Sequence, residues 1–297
     1  MNPESETVLA QLLAAHTGQD LSPERRWRIS TALSGLLREL DLDGVDALVD
    51  RLRRPSEQAL ATRVAEALLN HETYFFRDQA MYDLLGQNLL PELARSRAST
   101  KRLTIWSVGC SSGQEPLSLA MLFAEQPDMW ADWSIEILAS DVSHSVIETA
   151  RQGIYSQFEI QRGLGVMQML RWFEETGSGW RAAEALRGMV RFKAHNLLTT
   201  PPVAARFDLI LCRNVLLYFD SPTRSRAFNR LGDSLARDGW LMLGAGETVV
   251  GHTDRLMPDR SVPGFYRPSN LVRETAAVRS PRRNTSRPVQ AARQVPR

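Results

Sequence analysis

From Lys101 the chain adopts an alternation that few folds can satisfy: short apolar runs, each ended by a small or polar residue, separated by helix-length segments. Leu103-Thr104-Ile105-Trp106-Ser107-Val108 reads as a buried strand. A loop between Gly109 and Gly113 follows it, then a helix from Pro116 to Phe123. Ile135-Glu136-Ile137-Leu138-Ala139-Ser140 reads as a second strand closed by Asp141, with Ser143 placed to cap the next helix. Val190 to Ala194 and Phe207 to Cys212 predict further strands, Ser221 to Ala236 a helix, and Trp240 to Leu243 another strand. Such alternation predicts an α/β fold: a parallel sheet with helices on both faces. Residues 155–189 fit it poorly, with several glycines and the rings of Trp172, Phe173 and Trp180, and are expected to form a small inserted subdomain.

Before this alternation the signals are helical only. Thr7-Val8-Leu9-Ala10-Gln11-Leu12-Leu13 opens a first helix. Ser22-Pro23-Glu24 is a cap residue followed by proline at the first helical position. The helix it opens is expected to turn Trp27, Ile29, Leu33, Leu36, Leu37 and Leu40 toward a core. Asp43-Gly44 breaks the pattern, Val45 to Leu52 resumes it, and Pro55-Ser56-Glu57 launches another helix through Leu69. The expected division is a small all-α domain over 1–75, the α/β domain over 76–268 and a tail over 269–297. The tail carries Arg273, Arg279, Arg282, Arg283, Arg287, Arg293 and Arg297 against Glu274, with few large apolar residues, and is expected to be disordered.

Composition narrows the function. Among 297 residues, 43% hydrophobic and 24% charged is ordinary for a globular protein. The N-terminus lacks an apolar signal region and no run approaches membrane-spanning length, so a cytoplasmic protein, not membrane-embedded, is expected. The two cysteines, Cys110 and Cys212, end apolar runs and suggest buried thiols rather than a disulfide framework or a metal site. Basic residues outside the tail are interleaved with acids, which argues against a nucleic-acid groove.

In an open parallel sheet, ligands bind at the carboxyl ends of the strands, where the strand order reverses. Gly109, Asp141, His195-Asn196-Leu197 and Arg213-Asn214-Val215 all fall at such ends. An acid at the end of the second strand suits a ribose diol, and an Asn offers both donor and acceptor to an adenine edge or an amino acid. The glycine loop has Cys110, Ser111 and Ser112 between its glycines and so fails the G-x-G-x-x-G pattern. That counts against NAD and leaves an adenosine ligand without a pyrophosphate. Upstream, Asn70-His71-Glu72-Thr73-Tyr74-Phe75-Phe76-Arg77-Asp78 mixes charge with aromatic rings. Buried charge must be paired, so this stretch reads as a pocket wall that grips a polar ligand with an apolar part.

Residues 70–78, 107–118, 139–141, 196–198 and 212–219 together resemble the bacterial chemotaxis-receptor methyltransferases, the CheR family, in order up to about residue 268. The resemblance implies a Rossmann-like domain that binds S-adenosylmethionine, behind a small helical domain, with S-adenosylhomocysteine as product and no metal. It implies methyl transfer to glutamate side chains on the cytoplasmic helices of chemoreceptors, by a monomer. Carried over by position, Thr73 and Arg77 hold the methionine carboxylate, a task that suits the guanidinium fork. Gly109 shapes the cofactor loop, Glu115 faces the cationic amino-acid end, and Asp141 takes the ribose. Asn196 and Leu197 meet the adenine, Asn214 and Val215 line the sulfonium end, and Tyr218 borders the methyl-transfer site. Arg25, Arg26, Arg28, Arg51, Arg53 and Arg54 are the candidates for docking an acidic receptor surface. The insert, from Gln161 through Trp180, resembles the version that binds no receptor C-terminal peptide. His71 stands where the family often has Asn. Two alternatives stay open: methylation of an acidic protein in another signalling system, and a catalytically silent receptor-binding scaffold.

Overall fold

The computed structural model describes residues 1–203 and 206–269; the expected Arg-rich tail, from residue 270 onward, lies outside the described residues. Helices α1 (Pro3–Thr17), α2 (Ile29–Glu39), α3 (Val45–Leu52) and α4 (Gln58–Leu68) pack around Leu9, Leu13, Ile29, Leu33, Leu48 and Val64. The first of them begins before Thr7, because Asn2 caps the Ser5 N–H at 2.7 Å and Pro3 takes the first helical position. Glu4 and Glu6 then face the positive end of the helix dipole.

Ser22-Pro23 opens a 3-10 turn over Pro23–Arg28 rather than an α-helix, and Trp27 is 75% exposed instead of joining the core. At three residues per turn Trp27 lies about 240° around from Ile29, so it falls off the Ile29–Leu33 stripe. Beyond residues 70–78, α5 (Gln79–Leu84) runs through a π-helical turn (Leu85–Leu89) into α6 (Leu90–Ser96). Pro91 has no N–H to give to a regular ladder, and the wider turn accommodates it.

Next come β1 (Arg102–Val108), α7 (Gln114–Ala124), α8 (Pro127–Trp130), β2 (Ser134–Asp141) and α9 (His144–Gln152). A separate antiparallel sheet follows, built from β3 (Ile154–Tyr155), β4 (Phe173–Thr176) and β5 (Gly179–Ala182), with α10 (Gln157–Gln161), α11 (Val166–Trp172) and α12 (Glu184–Arg187). The main sheet resumes with β6 (Val190–Ala194), β7 (Phe207–Cys212), α13 (Ser221–Ser234), β8 (Leu235–Leu243), β9 (Leu256–Pro258) and β10 (Phe265–Pro268). Its order is β6-β2-β1-β7-β8-β10-β9, parallel through β8 and antiparallel at the β10 and β9 edge. This is a Rossmann-like sheet whose order reverses between β1 and β7.

Adjacent strand residues serve opposite faces. Ile105, Leu209 and Leu211 join the core that holds Leu117 and Met121 of α7, whereas Trp106, Ile210 and Cys212 join the one that holds Phe228 of α13. These strands therefore carry apolar residues on both faces. Leu235-Ala236 belong to a strand and not to the preceding helix, because Leu235 pairs with Phe207 across a bulge. A Cβ at Gly239 would stand 2.9 Å from the Phe207 carbonyl, so the bulge needs the bare backbone. β9 and β10 had no expectation in the sequence: they are three and four residues long, and each ends in proline.

Candidate functional site

The carboxyl ends of β1, β2, β6 and β7, closed by residues 70–78, enclose a cleft of about 850 Å³, open solvent at its mouth included. Its lining brings together Thr73, Arg77, Gly109, Glu115 and Asp141 with Asn196, Leu197, Asn214, Val215 and Tyr218. Residues as far apart in sequence as Thr73 and Tyr218 thus share one wall, as the reversal of strand order requires.

Two loops meet at Gly109. At φ +69°, it lies so close to the β7 loop that an added Cβ would approach Val215 Cγ2 to 2.3 Å. Gly113 packs instead on Tyr155, outside the cleft lining. Glu115 sits in the first turn of α7, where Ser107 Oγ donates to it at 2.8 Å and Arg213 Nη1 at 3.3 Å. Burial pushes its carboxyl above the ordinary range, against the pull of that arginine. Arg213 is only 5% exposed and also donates to Asp78 Oδ2 at 2.6 Å and to the Arg77 carbonyl at 2.7 Å. It ties the end of β7 to the 70–78 loop, a role invisible in the sequence, where it was merely a strand-ending residue.

Asp141 is 8% exposed, and burial pushes its carboxyl up. The Ser143 N–H donates to its Oδ1 and the Ser111 N–H to its Oδ2, both at 3.0 Å. A carboxylate offers about four lone-pair sites, so acceptor capacity remains for hydroxyls of a ligand.

Residues 70–78 are not wholly a pocket wall. Phe75 and Phe76 plug the core, Phe75 edge-on to Tyr155 at 5.0 Å and to Phe173 at 5.3 Å, Phe76 edge-on to Tyr82 at 5.2 Å. Anchored that way, the stretch turns Glu72, Thr73, Tyr74 and Arg77 to the cleft, with Arg77 Nη1 donating to the Glu72 carbonyl at 2.9 Å. The alternation of charge and aromatic ring divides two jobs that the sequence did not separate.

At the end of β6, Asn196 donates to the His16 carbonyl at 3.0 Å and accepts from the Leu198 N–H at 2.8 Å. Its amide thus clamps its own loop to α1, while Leu197 lies buried beside it. At the end of β7, Asn214 holds φ +59°, a strained value for a residue with a side chain. Glu247 holds it there. Its Oε2 accepts from the Asn214 and Gly244 N–H at 2.8 and 2.9 Å, and its Oε1 from Val215 and Leu216 at 3.1 and 2.8 Å. The sequence reading passed over Glu247; the available signal was an acid in the Gly244-Ala245-Gly246 turn just after a buried strand.

Tyr218 accepts from Asn70 Nδ2 at 2.8 Å, and the Arg25 guanidinium lies 4.3 Å from its ring centroid. Of the other docking candidates, Arg26 pairs with Glu6, Arg51 with Glu57, and Arg53 with Glu4 and Asp50. Arg28 and Arg54 form no ion pair among the described residues. Half of the expected basic face is therefore compensated from within, by surface pairs that add little to stability.

The cleft also holds hydrogen-bonding capacity that the described residues do not satisfy. Among them, Asn214 Oδ1, Gln19 Oε1 and His195 Nε2 are buried without a partner, on residues of the lining. Burial lowers the His195 pKa, so its ring is neutral and Nε2 can accept. Such orphans are costly unless a ligand completes them. An adenosyl amino acid fits: its amino groups and hydroxyls are donors, and Glu115 and Asp141 supply buried carboxyl groups at two points of the wall. Among the described residues no cluster of His, Cys, Asp and Glu is placed to hold a metal ion, and no helix is long and apolar enough to cross a membrane.

Comparison with known proteins agrees with this reading of the cleft. The family model described as CheR methyltransferase, SAM binding domain, matches residues 71–261. A chemotaxis protein methyltransferase of Vibrio parahaemolyticus is 32% identical over 86% of this chain and 93% of its own length. Chemotaxis protein methyltransferase 1 of Pseudomonas aeruginosa is 33% identical, covering 82% of this chain and 90% of its own. A chemotaxis protein methyltransferase of Borreliella burgdorferi is 31% identical over 82% and 88%. With the fold, the cleft and a family match over most of its length, this chain belongs to the CheR family of S-adenosylmethionine-dependent methyltransferases.

Proposed function

We propose that the chain methylates glutamate side chains on the cytoplasmic helices of chemoreceptors, giving glutamate methyl esters. The observation that supports this most is the convergence of Arg77, Glu115, Asp141 and Asn214 on one cleft at the reversal of strand order. Thr73 and Arg77 would hold the cofactor's carboxylate, and Glu115 its ammonium. Asp141 would take the ribose hydroxyls, Asn196 and Leu197 the adenine, and Asn214 and Val215 the sulfonium end. When bound, S-adenosylmethionine supplies an electrophilic methyl on a sulfonium.

The residues of this chain then have a task of alignment rather than proton transfer. A glutamate carboxylate is already ionised near neutral pH, with an ordinary pKa of about 4.3, so it needs no general base. The His71 ring is engaged with the Glu66 carbonyl at 3.2 Å, and His195 is kept neutral by burial. Neither is assigned a proton to move. Holding two reactants in line can contribute about 7–11 kcal/mol, and the rigid loops at Gly109, Asn214 and Glu247 are suited to that. Tyr218, at the mouth between Asn70 and Arg25, would border the incoming carboxylate. Receptor helices that carry methylatable glutamates are acidic; Arg25, Arg28 and Arg54 form no ion pair with an acid of the described residues. Arg25, which lies over the Tyr218 ring of the cleft lining, and Arg28, near it in sequence, are the candidates best placed to meet them.

Calorimetric titration with S-adenosylhomocysteine tests the cleft assignment. Wild-type protein should bind one equivalent, and Asp141→Asn should weaken binding about tenfold or more while the protein stays folded. Unchanged affinity in the variant would overturn the role given to Asp141.

A further inference from the structure

Between the helical region and the β1 and β2 loops, five residues close a circuit of hydrogen bonds, and the proposed function employs only one of them, Asp141. Glu66, on α4, accepts from the His144 N–H at 2.9 Å, from Ser143 Oγ at 3.1 Å and from the Ser145 N–H at 3.3 Å. The Ser143 N–H donates to Asp141 Oδ1, and Asp141 Oδ2 accepts from Ser111. Ser111 Oγ donates to the His71 carbonyl at 2.8 Å, and His71 Nε2 meets the Glu66 carbonyl at 3.2 Å. Since a carbonyl only accepts, that last contact fixes the proton on His71 Nε2.

The circuit has the properties of a positioning device. The Glu66 side chain is 12% exposed, and burial works against its charge. The N–H groups of His144 and Ser145 outweigh that cost and hold its carboxyl below the ordinary range, so it is an anion at neutral pH. It sits at the positive end of α9, where a negative charge is favoured. Asp141, Ser111 and His71 line the cleft, so a shift at Glu66 reaches the wall through two hydrogen bonds. His71, the departure from the family pattern, falls inside this circuit. Its ring and its carbonyl tie the start of the 70–78 loop from both sides.

We infer that Glu66 is a positioning residue for the cofactor: from the helical region it fixes the β2–α9 turn and, through Ser143 and Ser111, the orientation in which Asp141 meets the ribose. The inference rests on the assignment of Asp141 to the ribose.

The test is calorimetric binding of S-adenosylmethionine, with methylation kinetics, for wild type, E66Q, S111A and the double variant. E66Q should raise Kd and KM for S-adenosylmethionine about tenfold, within the usual range of coupling between sites. Its kcat at saturating cofactor should stay within about twofold. The double variant should weaken binding less than the two single effects combined, because a circuit already cut is cut again at lower cost. E39Q, which removes an exposed pair with Arg63 in the same region, should leave Kd unchanged. If E66Q does not fold, S143A should show the same rise in KM with kcat retained, on a smaller scale. Wild-type binding with unchanged Kd in E66Q or S143A would overturn the inference alone, as would equal weakening in E39Q. A wild-type protein that binds no S-adenosylmethionine would overturn the Asp141 assignment and this inference with it.

Discussion

The inner wall of the cleft and the arginine face of the helical region are both rich in charge, and they treat it in opposite ways. In and behind the wall, Arg213, Glu247 and Asp141 are nearly inaccessible; backbone N–H groups of neighbouring loops meet Glu247 and Asp141, and the Arg77 carbonyl with the Asp78 and Glu115 carboxylates meets Arg213. On the helical face, Arg26, Arg51 and Arg53 meet side-chain carboxylates in partly or fully exposed pairs. A buried charge bonded to backbone fixes a geometry, because any other arrangement leaves it unpaired in low dielectric. An exposed pair fixes little, since water replaces either partner at small cost. The wall is built to hold one small ligand in one pose. The face is free to exchange its partners for those of an acidic helix.

Removing a wall charge should therefore cost far more than removing a surface one. Glu247→Ala leaves four backbone N–H groups without their acceptor and should destabilise the protein by about 4 kcal/mol, read as a shift of the urea midpoint. A loss below about 1 kcal/mol would break the contrast. Arg77→Ala leaves the core anchors Phe75 and Phe76 in place, so its effect should fall on the ligand. Affinity for S-adenosylhomocysteine should drop roughly 10- to 100-fold, the worth of a charge-assisted hydrogen bond, with little change in stability. Reversing Arg25 and Arg28 to Glu should slow receptor methylation several-fold, most at low salt, with cofactor affinity unchanged. A rate that ignores both the charge and the salt would remove docking from this face. Arg53→Ala should leave the urea midpoint where it is, because its partners Glu4 and Asp50 remain in water.

How much of this was legible in the sequence follows the same division. The central strands were readable because each serves two cores and carries apolar residues on both faces, as in Phe207–Cys212, where Asp208 is the one polar position. That these residues gather at one cleft was readable because the ends of such strands are where ligands bind; the roles proposed for them come from a resemblance. Residues whose role depends on distant partners were not readable. Glu66 meets His144 from 78 positions away, and Arg213 meets Asp78 from 135; no local pattern encodes either. Trp27 was misplaced for a different reason: an aromatic near a helix start reads as core, yet its angular position puts it in water. Leu235 was misread because helix and strand meet there without a turn residue between them.

The most direct measurement is transfer of labelled methyl from S-adenosylmethionine to the cytoplasmic fragment of a chemoreceptor from the same cell, followed by mild alkali. The account predicts incorporation that alkali releases, as a carboxyl methyl ester requires, on glutamate side chains. Alkali-stable label, or no label on the receptor while the cofactor binds, would contradict it.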